Sequence, residues 1–206
     1  MEAEILPLFS FPVYSINLEN FQTADDLSDL DNTVTVENIK WRKNHDNMVS
    51  ADNYWLESIK DKKLYSLIQH HVTQYFYGLM QATDKISISI TESWLNNTAP
   101  GEQHHRHRHS NSIISGVYYF AVGPESGNLI FSKTDYQAIE YGILNSNIYN
   151  SKHWILTPKK HTLILFPSAL EHKVTKNLSD QNRISLSFNT FIRGEISTDF
   201  LQGLSI

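Results

Sequence analysis

The chain has no cysteine. That absence excludes a thiolate nucleophile, a cysteine-ligated iron–sulfur cluster or zinc, and a disulfide framework, so any metal must be held mainly by histidine and carboxylate. Positive charge is also short. Lys and Arg number 17 against 22 Asp and Glu, a formal charge of −5, whereas a dedicated nucleic-acid binder carries a basic surplus. No apolar run approaches the roughly 20 residues of a membrane span. The start, Met1-Glu2-Ala3-Glu4-Ile5, is acidic where a secretory leader is basic, so the expected location is the cytoplasm. No repeat and no Gly/Ser- or Pro-rich linker interrupts the 206 residues. One domain over 1–206 is expected, with an N-terminal strand and helical layer at 1–84 and a β core at 85–195.

What is present is a sizeable apolar fraction, 40% hydrophobic and 12% aromatic, enough to fill a core. Ile5 to Leu18 is expected to be an edge strand, because Pro7 and Pro12 remove ladder donors. Residues 19–52 carry no clear period. Leu64, Leu67, Ile68, Val72, Tyr75, Phe76, Leu79 and Met80 follow helical spacing and predict one helix from about Asp61 to Thr83. Beyond Asp84 the texture is β. Ile86, Ile88 and Ile90 alternate with polar residues, and Ser115–Val122 is β-rich. Gly123-Pro124-Glu125-Ser126-Gly127 makes a turn, and short apolar runs follow at 128–131, 153–156, 162–166, 173–175 and 183–191. Short strands after a helix predict a β-barrel or sandwich with a helical layer on one side. Tyr136, Tyr141, Tyr149 and Trp154 are candidates for an aromatic pocket or, more simply, for core.

Four of the ten histidines fall in Gln103-His104-His105-Arg106-His107-Arg108-His109. On a strand, His-x-His puts two imidazoles on one face, where they can grip one divalent ion. Two registers satisfy this, His105 with His107 or His107 with His109, and spacing alone leaves both open. A distant strand can supply a third ligand. His172 follows an apolar run and a turn, while its neighbour Glu171 points to the opposite face. Further on, Arg183, Ser185 and Ser187 share one strand face. An arginine aimed into a barrel needs an anion, and its planar fork suits a carboxylate.

His-x-His, a strand, a distal His and then Arg-x-Ser resemble the 2-oxoglutarate/iron(II) oxygenase superfamily. More narrowly, His107 to Tyr119 resembles a small group of such oxygenases in bacteria and tailed phages. Glu92-Ser93-Trp94-Leu95-Asn96, Gly127 to Phe131, Leu165 to Ser168 and Arg183 to Asn189 belong to the same resemblance, which spans 92–189. It implies a double-stranded β-helix, or jelly-roll barrel, with flanking helices. It also implies an iron(II)-, 2-oxoglutarate- and O2-dependent hydroxylation that releases succinate and CO2. Ser112 to Gly116 then selects His107 and His109, which with His172 would bind iron, leaving His104 and His105 at the rim. Arg183 would hold the far carboxylate of 2-oxoglutarate with Ser185 beside it. Tyr118 or Tyr119 would donate a hydroxyl; only one of the two can face inward, and Tyr118 is the one expected. The wider superfamily uses two histidines and one carboxylate; here His109 stands at the carboxylate position.

A cupin shares the barrel, but its glutamate after the histidine pair has no counterpart in Ser110–Ser115, and it has no use for Arg183. A non-catalytic metal-binding accessory module and a three-histidine zinc hydrolase complete the alternatives. The substrate is not legible, and a homodimer is expected only on general frequency.

Overall fold

A computed structural model of the chain describes residues 5, 8–21, 23–133, 139, 141–196 and 205. Leu6 and Pro7 of the expected first strand, and Tyr136, lie outside them. Among the described residues the elements are β1 (Tyr14–Asn17), α1 (Ala24–Asp31), β2 (Trp41–Asn44), β3 (Asn47–Ser50), α2 (Trp55–Ser58) and α3 (Lys63–Thr73). Eight strands follow: β4 (Ile86–Thr98), β5 (His104–His107), β6 (Ile114–Ala121), β7 (Leu129–Ser132), β8 (His153–Leu156), β9 (Thr162–Pro167), β10 (His172–Val174) and β11 (Arg183–Gly194).

The strands form two antiparallel sheets, one of seven in the order β1-β9-β6-β11-β4-β3-β2 and one of four in the order β5-β10-β7-β8. Alternation along the large sheet explains the layering. On β11, Ile184, Leu186 and Phe188 point to one face and join Leu95, Tyr118, Leu163 and Leu165 beneath the helices. Arg183, Ser185 and Ser187 point to the other face, toward the small sheet. Between the sheets a second, smaller core packs Tyr119, Leu129, Phe131, Ile164 and Phe166. This is the expected mainly-β jelly roll, with helices on one face only.

α3 buries Leu64, Ile68 and Val72 as its spacing requires. It continues as a π-helix over Gln74–Leu79, with Met80 N bonding the Tyr75 carbonyl. The wider i→i+5 turn rotates the apolar row, so Tyr75 and Phe76 stay buried while Leu79 and Met80 are about half exposed. The expected N-terminal strand shortens to β1, an edge strand as foreseen. The unassigned stretch 19–52 holds α1 and the β2–β3 hairpin. Thr23 and Asp26 close a capping box on α1, and Asp26 also pairs with Lys63 of α3. Tyr141, Tyr149 and Trp154 are each more than half exposed, so they are not core.

Candidate metal centre

The small sheet carries the histidines. β10 pairs with β5 so that His172 lies opposite His107. His109 follows two residues after β5, its backbone N–H bonded to the Ser168 carbonyl at 3.0 Å. The ring nitrogens of His107, His109 and His172 lie within 4.8 Å of one another. Alternation sends the intervening side chains outward, where Arg106 and Arg108 both bond Glu171, at 3.0 and 3.4 Å. Glu171 therefore straps the two arginines together on the outer face.

Each histidine is prepared for a cation. Nδ1 of His107 lies 2.9 Å from the His105 carbonyl, and Nδ1 of His172 lies 2.9 Å from the Leu170 carbonyl. A carbonyl only accepts, so both Nδ1 atoms carry the proton and both Nε2 atoms present a lone pair. Nε2 of His109 is 3.3 Å from Nε2 of His172, close to the ~3 Å edge of two cis ligands at a metal–nitrogen distance of about 2.1 Å. Burial, then repulsion from neighbouring histidines, keeps the rings neutral: His109 is lowered to about 4 and His172 to about 3. Three neutral imidazoles on one point fit iron(II), as they fit zinc or nickel. The rival trio, His104, His105 and His107, also clusters, but it lacks the ligand from the distal strand.

From the histidines a narrow cavity of about 50 Å³ runs between the sheets to Arg183. Its floor is formed by paired side chains of β4 and β11: Thr98 lies opposite Arg183, Asn96 opposite Ser185 and Trp94 opposite Ser187. The next rung, Glu92 opposite Asn189, lies beyond this cavity. Trp94 stacks on His109 at 5.9 Å. Arg183 is buried, and its guanidinium bonds two neutral groups, the Ser126 carbonyl and Thr98 Oγ1 (3.2 Å). Gly127, at φ +99°, keeps a side chain out of the space beside it.

Arg183 and Ser185 thus both line the cavity. Tyr118 does not, which corrects the expectation. It faces the helices, with its hydroxyl 2.7 Å from His161 Nδ1, and Tyr119 takes the inward place. The register Ser185↔Tyr119 decides this, because it puts Tyr119 on the face of Ser185. His104, expected at the rim, also lines the cavity. A regular strand would turn His104 and His107 to opposite faces; the irregular pairing of β5 with β10 between Val174 and His172 brings both inside. Burial, then the charges of His107 and others, lowers His104 to about 2.

Residues 92–189 match the family model described as "Putative 2OG-Fe(II) oxygenase". That segment runs from Glu92 of β4 to Asn189 of β11 and contains every expected site residue. No curated protein matches the chain. Among solved structures, the fold is shared with a 2OG-Fe(II) oxygenase family oxidoreductase from Burkholderia pseudomallei (15% identity, 86% of this chain and 83% of that one, TM-score 0.61). It is shared with HygX from Streptomyces hygroscopicus, solved with nickel and 2-oxoglutarate bound (9% identity, 93% and 89%, TM-score 0.57). It is also shared with a Pseudomonas putida prolyl-4-hydroxylase (16% identity, 87% and 93%, TM-score 0.52). No described helix is long and apolar enough to cross a membrane.

Proposed function

We infer that the chain, whose core matches the 2OG-Fe(II) oxygenase family, is an iron(II)- and 2-oxoglutarate-dependent oxygenase that hydroxylates a substrate at the face of His107, His109 and His172. One observation carries the reading: a buried arginine bonded, among the described residues, only to neutral groups closes a cavity whose other end is a three-histidine cluster. A buried guanidinium without an anion is costly, and a ligand carboxylate removes that cost. Such an arginine has no special place in a cupin-type site.

Bound by the three histidines, iron(II) with its cosubstrate supplies the oxidising chemistry, in the balance 2-oxoglutarate + O2 + R–H → succinate + CO2 + R–OH. The protein's own work is binding, orientation and exclusion of water. His107 and His172 are held by the His105 and Leu170 carbonyls, so their Nε2 lone pairs are fixed before any ion arrives. The Arg183 fork takes the far carboxylate of 2-oxoglutarate in parallel hydrogen bonds, with Ser185 and Tyr119 beside it. Leu129, Phe166 and Val174 cover the cavity with apolar surface. Tyr119, raised to about 12 by burial, stays a neutral O–H donor. A cytoplasmic location accompanies this reading.

The test is an anaerobic titration of metal-free protein with iron(II), then 2-oxoglutarate, following the visible charge-transfer band of the chelate. The band should appear, vanish in His172→Ala and need much higher 2-oxoglutarate in Arg183→Ala. Iron bound tightly with no band on adding 2-oxoglutarate would sink the reading and favour a cupin-type site.

A further inference from the structure

A second cavity, about 270 Å³, opens on the other side of the histidines. Its remaining walls are Arg42 and Asn44 of β2, Val49 of β3, Asn53, and Glu92 and Trp94 of β4. The β2–β3 hairpin, which extends the large sheet at the β4 edge, is therefore what gives this space its far wall. Only Val49 and Trp94 among these six are apolar, so a hydrocarbon ligand would desolvate polar groups without compensating them.

Two charged side chains of opposite sign are held ready in it. The Glu92 carboxylate accepts from Asn189 Nδ2 at 3.2 Å, and Asn189 Oδ1 accepts from Ser115 Oγ at 2.9 Å. Ser115 Oγ in turn lies 2.8 Å from Ser168 Oγ. Asn189, Ser115 and Ser168 are all buried. Three buried polar residues thus fix the direction of one exposed carboxylate, the arrangement of a preorganised contact. On the opposing hairpin, Arg42 Nη2 donates to Asn53 Oδ1 at 3.4 Å, which leaves most of a five-donor fork to offer a ligand. The volume lies just below the roughly 300–1,000 Å³ of sites for drug-sized ligands, so the occupant is small.

We propose that this outer cavity binds a small zwitterion of the α-amino-acid class, with its ammonium on Glu92, its carboxylate on Arg42 and its side chain toward the three histidines. The proposal rests on the oxygenase reading, for which this zwitterion would be the substrate.

The experiment is calorimetric titration of the protein loaded with iron(II) and 2-oxoglutarate, without oxygen, by each of the free L-amino acids. At least one should bind saturably. Its N-acetyl and methyl-ester forms should each bind at least about tenfold more weakly, a loss of roughly 1.4 kcal/mol. Glu92→Gln should weaken the free amino acid by a similar factor and add little to the deficit of the N-acetyl form, which has already lost the ammonium; this non-additivity identifies the pair. Equal weakening of both probes would overturn the assignment of Glu92. Blocked forms binding as well as the free amino acid would overturn the zwitterion. Absence of binding by any amino acid, to protein that still takes up iron(II) and 2-oxoglutarate, would overturn the proposal and leave the oxygenase reading standing. If the loading itself fails, that reading falls, and the same titration on metal-free protein still decides the cavity.

Discussion

Replacing Gly127 by alanine should damage the Arg183 end of the cavity without touching a metal ligand. A Cβ at residue 127 would lie 2.7 Å from Arg183 Nη1 and closer still to the Thr175 carbonyl oxygen, on a backbone held at φ +99°. The left-handed backbone costs about 1–2 kcal/mol for a residue with a Cβ, and overfilling a packed site costs about 1–3 kcal/mol. Together they give about 2–5 kcal/mol. At about 2–4 °C per kcal/mol for a chain of this size, melting should fall by roughly 4–20 °C. The displaced guanidinium should also raise the 2-oxoglutarate concentration needed for the chelate band, while iron(II) still binds to three undisturbed histidines. Gly142→Ala, with no atom within 4 Å of the new methyl, is the control. Melting within about 2 °C of the parent, together with an unchanged 2-oxoglutarate titration, would refute the role given to Gly127 and with it the packing of Arg183; the thermal scale is again that of a single small contact.

Three further outcomes are expected. Metal-free protein should lose stability in acid: the folded state holds His109 at about 4 and His172 at about 3, so below about pH 6.5 the unfolded chain takes up protons that the folded chain refuses. A melting temperature no lower at pH 5 than at pH 7.5 in chelator would contradict this. His172→Ala should abolish tight iron(II) binding, measured by equilibrium dialysis, because it removes the one ligand contributed by the distal strand; retention at parental affinity would transfer the site to His104, His105 and His107. Tyr118→Phe should cost about 1–3 kcal/mol by leaving buried His161 Nδ1 unpaired and should not alter the 2-oxoglutarate titration, whereas Tyr119→Phe should alter it.

What could be read from the sequence was whatever depends on local period. His107 and His109 on one face, Arg106 and Arg108 on the other, and Arg183, Ser185 and Ser187 in one row all follow from alternation. So do the start of β4 at Ile86, Ile88 and Ile90 and, at helical spacing, the buried face of α3. What escaped depends on pairing. Whether Tyr118 or Tyr119 shares the face of Ser185 is set by a cross-strand register between β6 and β11, which neither strand states alone. His104 reaches the cavity only because the β5–β10 ladder is irregular. The β2–β3 hairpin has four-residue strands of mixed polarity, too short to show a period, so Arg42 gave no signal. Glu92 was within the recognised motif, yet its position beside the histidines became visible only through Asn189, 97 residues later.

The ladder shared by β4 and β11 has a consequence for how such a molecule can diverge. The rungs join residues from 85 positions apart, at Thr98–Arg183 toward the buried end, to 97 apart, at Glu92–Asn189 toward the open end. A substitution at one end therefore needs a partner change on its own rung more than on its neighbours'. Descendants of this chain can exchange the Glu92–Asn189 rung to meet a new small molecule while the Thr98–Arg183 rung stays fixed. Covariation should accordingly run across the strands rather than along them.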